Sequence, residues 1–147
     1  MKFSAAKNLS TVVLLLGFLM ILPEARADET NQATRVTFSQ AVRIPGRVLP
    51  AGTYWFVLPQ EITDHNQVRI YNSDRTVFYG TVITINAERP RATDNSAFTF
   101  TAHGSTEPQA LVTWFYPGET TGHQFLYPKQ VSQELAKARQ VTVVAGD

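Results

Sequence analysis

The feature that most constrains the fold is the stretch of residues 44–58, in which two tight turns surround a short apolar segment and lead into a longer aromatic one. Pro45 and Gly46 are the residues preferred at the two central positions of a type II turn, because proline presets the first φ and glycine accepts the positive φ of the second. Residues 50–52 are typical of a second tight turn. Residues 53–58 are rich in aromatic and β-branched side chains, which favour a strand. The stretch therefore predicts a β-protein.

The same strand signal recurs along the chain as alternating apolar and polar residues. Gly80 falls inside the longest of these segments, where a glycine favours a β-bulge or a close backbone approach. Two pairs of segments predict hairpins, and symmetric closure of the second would place Trp114 opposite Phe125 and Tyr116 opposite His123. The predicted strands cover residues 34–38, 42–44, 47–49, 53–58, 67–71, 76–86, 98–101, 109–116 and 123–127.

Only residues 131–140 have the composition of a helix, with a run of good helix formers between Glu134 and Arg139. Residues 141–144 fit either an edge strand or a disordered tail. A parallel sheet would need crossover helices between its strands, and the pattern contains none. The sequence therefore predicts an all-β fold, an antiparallel β-sandwich or open barrel with one short C-terminal helix.

The N-terminal segment has the pattern of a secretory signal peptide rather than of a fold. Lys2 and Lys7 precede an apolar run over residues 12–22, and residues 25–27 provide the small residues of a cleavage site. The apolar run is shorter than the roughly 20 residues that a membrane-spanning helix needs, which disfavours an uncleaved anchor. We expect residues 1–27 to be a signal peptide and residues 28–147 a single β-sandwich domain. The protein would then be exported to the periplasm or the medium, with no stable membrane span after cleavage.

The charge narrows the class of partner, and the cysteine content narrows what can stabilise the fold. Removing residues 1–27 takes away three of the 13 basic and one of the 12 acidic residues, which leaves a formal charge of −1. A nearly neutral domain is a poor candidate for electrostatic binding of nucleic acid or anionic membranes. The chain has no cysteine, so neither disulfides nor a lipid-modified cysteine can hold it, and a hydrophobic core must stabilise it.

Two motifs resemble those of a family of small exported bacterial β-rich proteins of unknown function. The first is PGRVLPAGTY at residues 45–54, of the form PGxVLPAGTY. The second is WFYPG at residues 114–118 with GHQFLYPK at residues 122–129, of the form WFYPG...GxxFxYPK, and VRIYN at residues 68–72 adds to the likeness. The resemblance implies one compact β-rich domain behind a signal peptide. It implies no catalytic residue and no cofactor.

Residue types that carry chemistry are present without the spacings that chemistry requires. His65, His103 and His123 are too far apart for one element to present two imidazoles to a metal ion. The neighbouring Asp64 and the serines at 96, 105 and 132 form no recognisable nucleophile motif. We therefore predict no catalytic residue, metal or cofactor. A small histidine-dependent hydrolase or metalloenzyme centred on His65 or His123 is one alternative.

The aromatic residues offer the strongest indication of a binding site. Exposed Trp55, Trp114 and Tyr116 would form a stacking surface for sugars, which makes a carbohydrate-binding module the other alternative. Packing of the same rings in a core layer is favoured, because large exposed apolar patches are uncommon on soluble monomers. The arginines at 35, 43, 47, 69, 75, 89 and 91 are interspersed with acidic residues and fit a solvated surface. The sequence thus predicts an exported, non-enzymatic binding or structural module of the envelope or extracellular space, with polysaccharide or another envelope protein as partner.

Overall fold

Eleven strands and one short helix make up the part of the chain that the computed structural model describes, which is residues 24–28, 32–59, 66–102 and 107–145. His65, His103, Asp64, Ser105 and residues 1–23 of the predicted signal peptide lie outside these ranges. The elements are β1 (Glu24–Asp28), β2 (Ala33–Phe38), β3 (Val42–Ile44), β4 (Arg47–Leu49), β5 (Gly52–Val57), β6 (Gln67–Asn72), β7 (Phe78–Glu88), β8 (Ala97–Ala102), β9 (Gln109–Phe115), β10 (Thr121–Phe125), α1 (Lys129–Lys137) and β11 (Arg139–Val144).

The predicted fold class, all-β with one short C-terminal helix, is confirmed. Helix α1 ends earlier than expected, because Ala138 is extended and the chain then enters β11. β11 pairs with β8 along its whole length, so residues 141–144 form an edge strand and not a tail. Among the described residues no helix has the length and apolarity needed to cross a membrane.

The strands form one open sheet in the order β1-β2-β5-β6-β7-β10-β9-β3-β4, with β8 on β9 and β11 on β8. Every described pairing is antiparallel except that of β3 with β9, which makes the sheet mixed. Phe56 of β5 contacts Phe98 of β8 and Trp114 of β9 with ring centroids 6.2 and 5.9 Å apart. Because β6, β7 and β10 lie between these strands in the sheet, it must fold over itself, as in a sandwich.

The core lies between the two halves of this folded sheet and is mostly aromatic. Phe38, Phe56, Phe98, Phe100 and Trp114 are all buried there. Burial of each such ring contributes about 1.5–3 kcal/mol to the stability of the fold. This cluster therefore provides stabilisation in a chain that has no disulfides. Along β5 the core receives alternate residues, because successive strand side chains point to opposite faces. The side of the sheet away from this cluster is called the outer face below.

Tyrosine hydroxyls anchor two connections to this core. The Tyr54 hydroxyl donates to the carbonyl oxygen of Pro50 at 2.6 Å and so closes the turn that leads into β5. The Tyr127 hydroxyl lies 2.7 Å from the Leu111 carbonyl oxygen and 3.0 Å from that of Arg43, which ties the chain after β10 to both β9 and β3. Gly46 has a φ of 85°, as the predicted turn requires.

A β-bulge interrupts the pairing of β6 with β7. Ile70 pairs with Gly80, but the next residue of β6, Tyr71, pairs with Phe78, so Tyr79 is the extra residue. The φ of Gly80 is 136°, a conformation open mainly to glycine. The bulge turns Tyr79 toward the core, where its ring lies 5.5 Å from that of Tyr54. It also places Phe78 beside Tyr71 on the outer face.

The predicted register of the β9–β10 hairpin is wrong by two residues. His123 pairs with Trp114, and Gln124 pairs with Thr113. Tyr116 lies outside the strand because its carbonyl accepts a hydrogen bond from the Glu119 N–H at 3.2 Å and closes a turn there. The connecting loop therefore covers residues 116–120, and β10 begins at Thr121, two residues earlier than the symmetric closure assumes.

β1 pairs with β2 over five residues, from Glu24 opposite Thr37 to Asp28 opposite Ala33. The predicted signal-peptide cleavage before Asp28 falls within this strand. Cleavage at that site would leave only Asp28 of β1, and the outer edge of β2 would then be open. The cleavage itself stays a prediction.

Candidate functional site

The three aromatic residues predicted as a sugar platform do not lie on one surface. Trp114 is fully buried between Phe56 and His123, with ring centroids 5.9 and 5.6 Å away. Tyr116 is half-buried and packs against the edge of the core. Trp114 therefore belongs to the core layer that the sequence favoured, and a platform of Trp55, Trp114 and Tyr116 is not formed.

Trp55, in contrast, projects from the outer face of β5. It lies directly opposite Arg35 of β2 on one side and Tyr71 of β6 on the other. Its indole Nε1 donates to the Ser73 carbonyl oxygen at 2.9 Å. The Arg75 guanidinium lies 4.0 Å from the centre of the indole ring, the geometry of a cation–π contact.

Three aromatic side chains on neighbouring strands form what we call the aromatic row, which consists of Trp55, Tyr71 and Phe78. Tyr71 pairs with both of the others, and its ring centroid is 5.2 Å from that of Phe78. Phe78 is 55% exposed, the largest exposed fraction among the large apolar residues described. Because adjacent strands are about 4.8 Å apart, the row spans about 10 Å of the outer face.

The turn between β6 and β7 holds one end of the row in place. Asn72 bonds Val77 through backbone and side chain, with N–O distances of 3.0 and 2.9 Å. Asp74 accepts from the Thr76 hydroxyl at 2.6 Å and from its N–H at 3.3 Å. These hydrogen bonds lower the pKa of the Asp74 carboxyl group. Arg75, with a φ of 60°, has the left-handed conformation that non-glycine residues seldom adopt, and it is held there over Trp55.

Three arginines surround the aromatic row. Arg35 lies at its β2 end, Arg75 covers Trp55, and Arg69 lies two residues before Tyr71 on the same side of β6. Arg35 and Arg75 are exposed, and Arg69 is half-buried. Within the described residues, the side chain of none of the three makes a hydrogen bond or an ion pair.

The sequence contained a partial signal for this site. Alternation along residues 67–71 places Arg69 and Tyr71 on the side opposite Val68 and Ile70, and Trp55 was itself a candidate. Phe78 could not be assigned, because its side of the sheet depends on the bulge at Gly80. The partners of Trp55 follow from strand order, which the alternation of residues leaves open.

The described residues, which include His123 but not His65, give the histidine-centred alternative no support. The Nδ1 of His123 lies 3.1 Å from the hydroxyl of Thr84, and its ring lies against Trp114. Ser96 is buried, and its hydroxyl lies 3.1 Å from that of Thr34. Among the described residues there is no group of three or more acidic or histidine side chains that could hold a metal ion.

A groove of about 490 Å³ lies elsewhere on the sheet, across β7, β8, β9, β10 and β11. Six of its twelve described lining residues carry hydroxyl or amide side chains, Thr99, Thr142 and Gln124 among them, and none of the twelve is a histidine. The hydroxyls of Thr99 and Thr142 satisfy each other at 2.8 Å. The described lining of the groove thus contains neither a histidine nor a pair of carboxylates.

Comparison of the chain with models of protein families, with curated proteins and with solved structures finds no match. The resemblance to a family of exported proteins stays a prediction. The function is therefore inferred from the site alone.

Proposed function

We propose that the protein is an exported, non-enzymatic binding module of the envelope or extracellular space, and that it binds polysaccharide on the aromatic row. The observation that carries this proposal is the position of Trp55, Tyr71 and Phe78 side by side on the outer face of three neighbouring strands. The flat rings of Tyr71 and Phe78 can stack on the apolar C–H faces of sugar rings, whereas one face of the Trp55 indole is already covered by Arg75. An exposed ring such as Phe78, which is not needed in the core, is expected at an interaction surface.

The fold supports a rigid site. All three rings belong to strands or to a strand end, and the hydrogen-bonded turn of residues 72–77 fixes the connection between Tyr71 and Phe78. A preorganised surface loses little conformational entropy on binding. The side chains described around the row are suited to stacking and to hydrogen-bond donation, which is the chemistry of a binding module.

The proposal is tested by co-sedimentation of the purified protein with cellulose, chitin and peptidoglycan. The full chain is expressed and the protein is recovered in the form that the host produces. We expect Tyr71→Ala and Phe78→Ala each to weaken binding about two- to tenfold, the effect of losing one aromatic contact.

Leu126→Ala provides the matched control, because Leu126 is 41% exposed and lies outside the row. It should bind as the unmodified protein does. Absence of binding to every polysaccharide, or full binding by Phe78→Ala, would contradict the proposed function.

A further inference from the structure

We propose that the polysaccharide is anionic and that Arg35, Arg69 and Arg75 bind its carboxylate groups. This inference rests on the proposed function of the aromatic row and specifies its ligand. The ligand class is a polymer of uronic acids, in which the sugar rings alternate apolar faces with carboxylate edges.

The positions of the arginines match such a ligand. Arg35 is the cross-strand neighbour of Trp55, and Arg69 is separated from Tyr71 by one residue whose side chain points into the core. Arg75 stacks directly on Trp55. Each cation is thus adjacent to a ring of the row, so a sugar stacked on the row would bring its ring substituents close to a guanidinium.

No acidic side chain described on the strands of this part of the outer face compensates the charge of the three arginines, and the register of β1 places Glu24 opposite Thr37 and Asp28 opposite Ala33 at its β2 edge. The other strand residues there with described side chains are neutral, namely Ala33, Thr37, Thr53, Val57 and Thr81. The nearest acidic residue of the turn, Asp74, is already bonded to Thr76. A local cluster of three cations attracts an anionic polymer even though the predicted mature chain is nearly neutral.

Arg89 shows how this fold uses an arginine for structure. Its guanidinium donates to the carbonyl oxygens of Glu119 and Tyr116 at 2.9 and 3.4 Å and to the Thr93 hydroxyl at 2.9 Å. It also lies 4.7 Å from the Phe115 ring centroid. The three arginines beside the aromatic row make no such hydrogen bonds within the described residues, and we expect their N–H groups to donate to a ligand.

The chemistry favours carboxylates over neutral hydroxyls. A guanidinium can donate two parallel hydrogen bonds to one carboxylate, and such charge-assisted bonds are about twice as strong as neutral ones. The guanidinium of Arg75 lies 4.0 Å from the indole centre, and a guanidinium that contacts an aromatic ring through its face keeps the N–H donors at its edge available. Three cations are few for nucleic acid, whose affinity grows with the number of phosphates neutralised.

The inference is tested by affinity electrophoresis in gels that contain polygalacturonate or the same polymer after methyl esterification. The two polymers share a backbone and differ in charge. We expect retardation to be about tenfold stronger with the free acid and to weaken as salt is added. Arg35→Gln, Arg69→Gln and Arg75→Gln should each lower the affinity for the free acid about three- to tenfold.

Arg91→Gln is the control, because Arg91 is exposed in the loop after β7 and lies away from the row. It should be retarded as the unmodified protein is. Equal retardation by the two polymers, unaffected by the three variants but lowered by Phe78→Ala, would overturn the inference and leave the proposed function standing. Retardation by neither polymer, together with no binding to the insoluble polysaccharides, would overturn both. Stronger retardation by a single-stranded oligonucleotide than by polygalacturonate would also overturn the inference.

Discussion

Two buried polar atoms in β9 have no hydrogen-bond partner within the described residues, Thr113 Oγ1 and Trp114 Nε1. A buried polar group without a partner costs about 1–3 kcal/mol relative to the solvated group. For Trp114, the burial of its large ring offsets this cost. Thr113 has no comparable compensation, because its methyl group is small.

We therefore expect Thr113→Val to raise the free energy of unfolding by up to about 1 kcal/mol. Valine has nearly the shape of threonine, suits a strand and removes the unpaired hydroxyl. Urea unfolding followed by tryptophan fluorescence measures the change.

Thr99→Val is the matched control on the adjacent strand. Its hydroxyl is paired with that of Thr142 at 2.8 Å, so the same substitution should lower stability by about 1 kcal/mol. A loss of stability in Thr113→Val as large as that in Thr99→Val would show that the Thr113 hydroxyl has a partner.

At the scale of the elements, the bulge in β7 determines whether the aromatic row exists. Side chains alternate along a strand, so one extra residue reverses which face the preceding side chains occupy. Tyr79 packs toward Tyr54, and Phe78 reaches the outer face beside Tyr71. The aromatic row thus depends on the backbone conformation of Gly80.

Gly80→Ala is expected to lower the free energy of unfolding by about 1–3 kcal/mol, because its φ of 136° is unfavourable for any residue with a Cβ. Apart from Gly80 and its two chain neighbours, no described residue has an atom within 4 Å of the position of the added Cβ, so the penalty is conformational rather than steric. Urea unfolding measures the loss of stability, and co-sedimentation with polysaccharide should also show weaker binding as Phe78 shifts.

Thr81→Ala, at the next position of β7, changes an exposed residue with ordinary backbone geometry. Its stability should change by less than about 0.5 kcal/mol. Equal stability of Gly80→Ala and the unmodified protein would mean that the bulge does not constrain this backbone.

The alternation of residues predicted the positions of the elements well, but it predicted poorly which elements lie next to each other. β3 and β4 have the predicted bounds, because the turn residues Pro45 and Gly46 determine both ends locally. The register of the β9–β10 hairpin and the composition of the aromatic row were not predicted. Both depend on how a loop or a bulge offsets one strand against another, and those offsets leave the alternation within each strand unchanged.

At the scale of the whole molecule, Tyr127 couples stability to pH. Burial raises the pKa of its phenol above the ordinary value of 10.0. The folded state therefore holds this proton more tightly than the unfolded state does. The resulting contribution to stability is complete below about pH 10 and is lost as the pH rises further. Burial also raises the pKa of the Tyr54 phenol.

We expect Tyr127→Phe to lower the free energy of unfolding by about 1 kcal/mol near neutral pH, where it removes the hydrogen bond to Leu111. The variant should also lose stability less steeply than the unmodified protein above about pH 10. Urea unfolding at a series of alkaline pH values measures both effects. Parallel pH profiles for the two proteins would show that Tyr127 is not the titrating group.

The folded-over sheet makes the proposed site depend on both halves of the described chain. Every residue of the aromatic row and its three arginines lies between positions 35 and 78, yet the core faces of β2 and β5 pack on Phe98 and Trp114 from the second half. The Tyr127 hydroxyl reaches the Arg43 carbonyl oxygen across 84 positions of sequence. Strands joined over such distances form late and together. A truncated chain that retains every proposed ligand contact would therefore lack the packing that holds those contacts in register, and binding would appear only when the C-terminal half has folded onto the first.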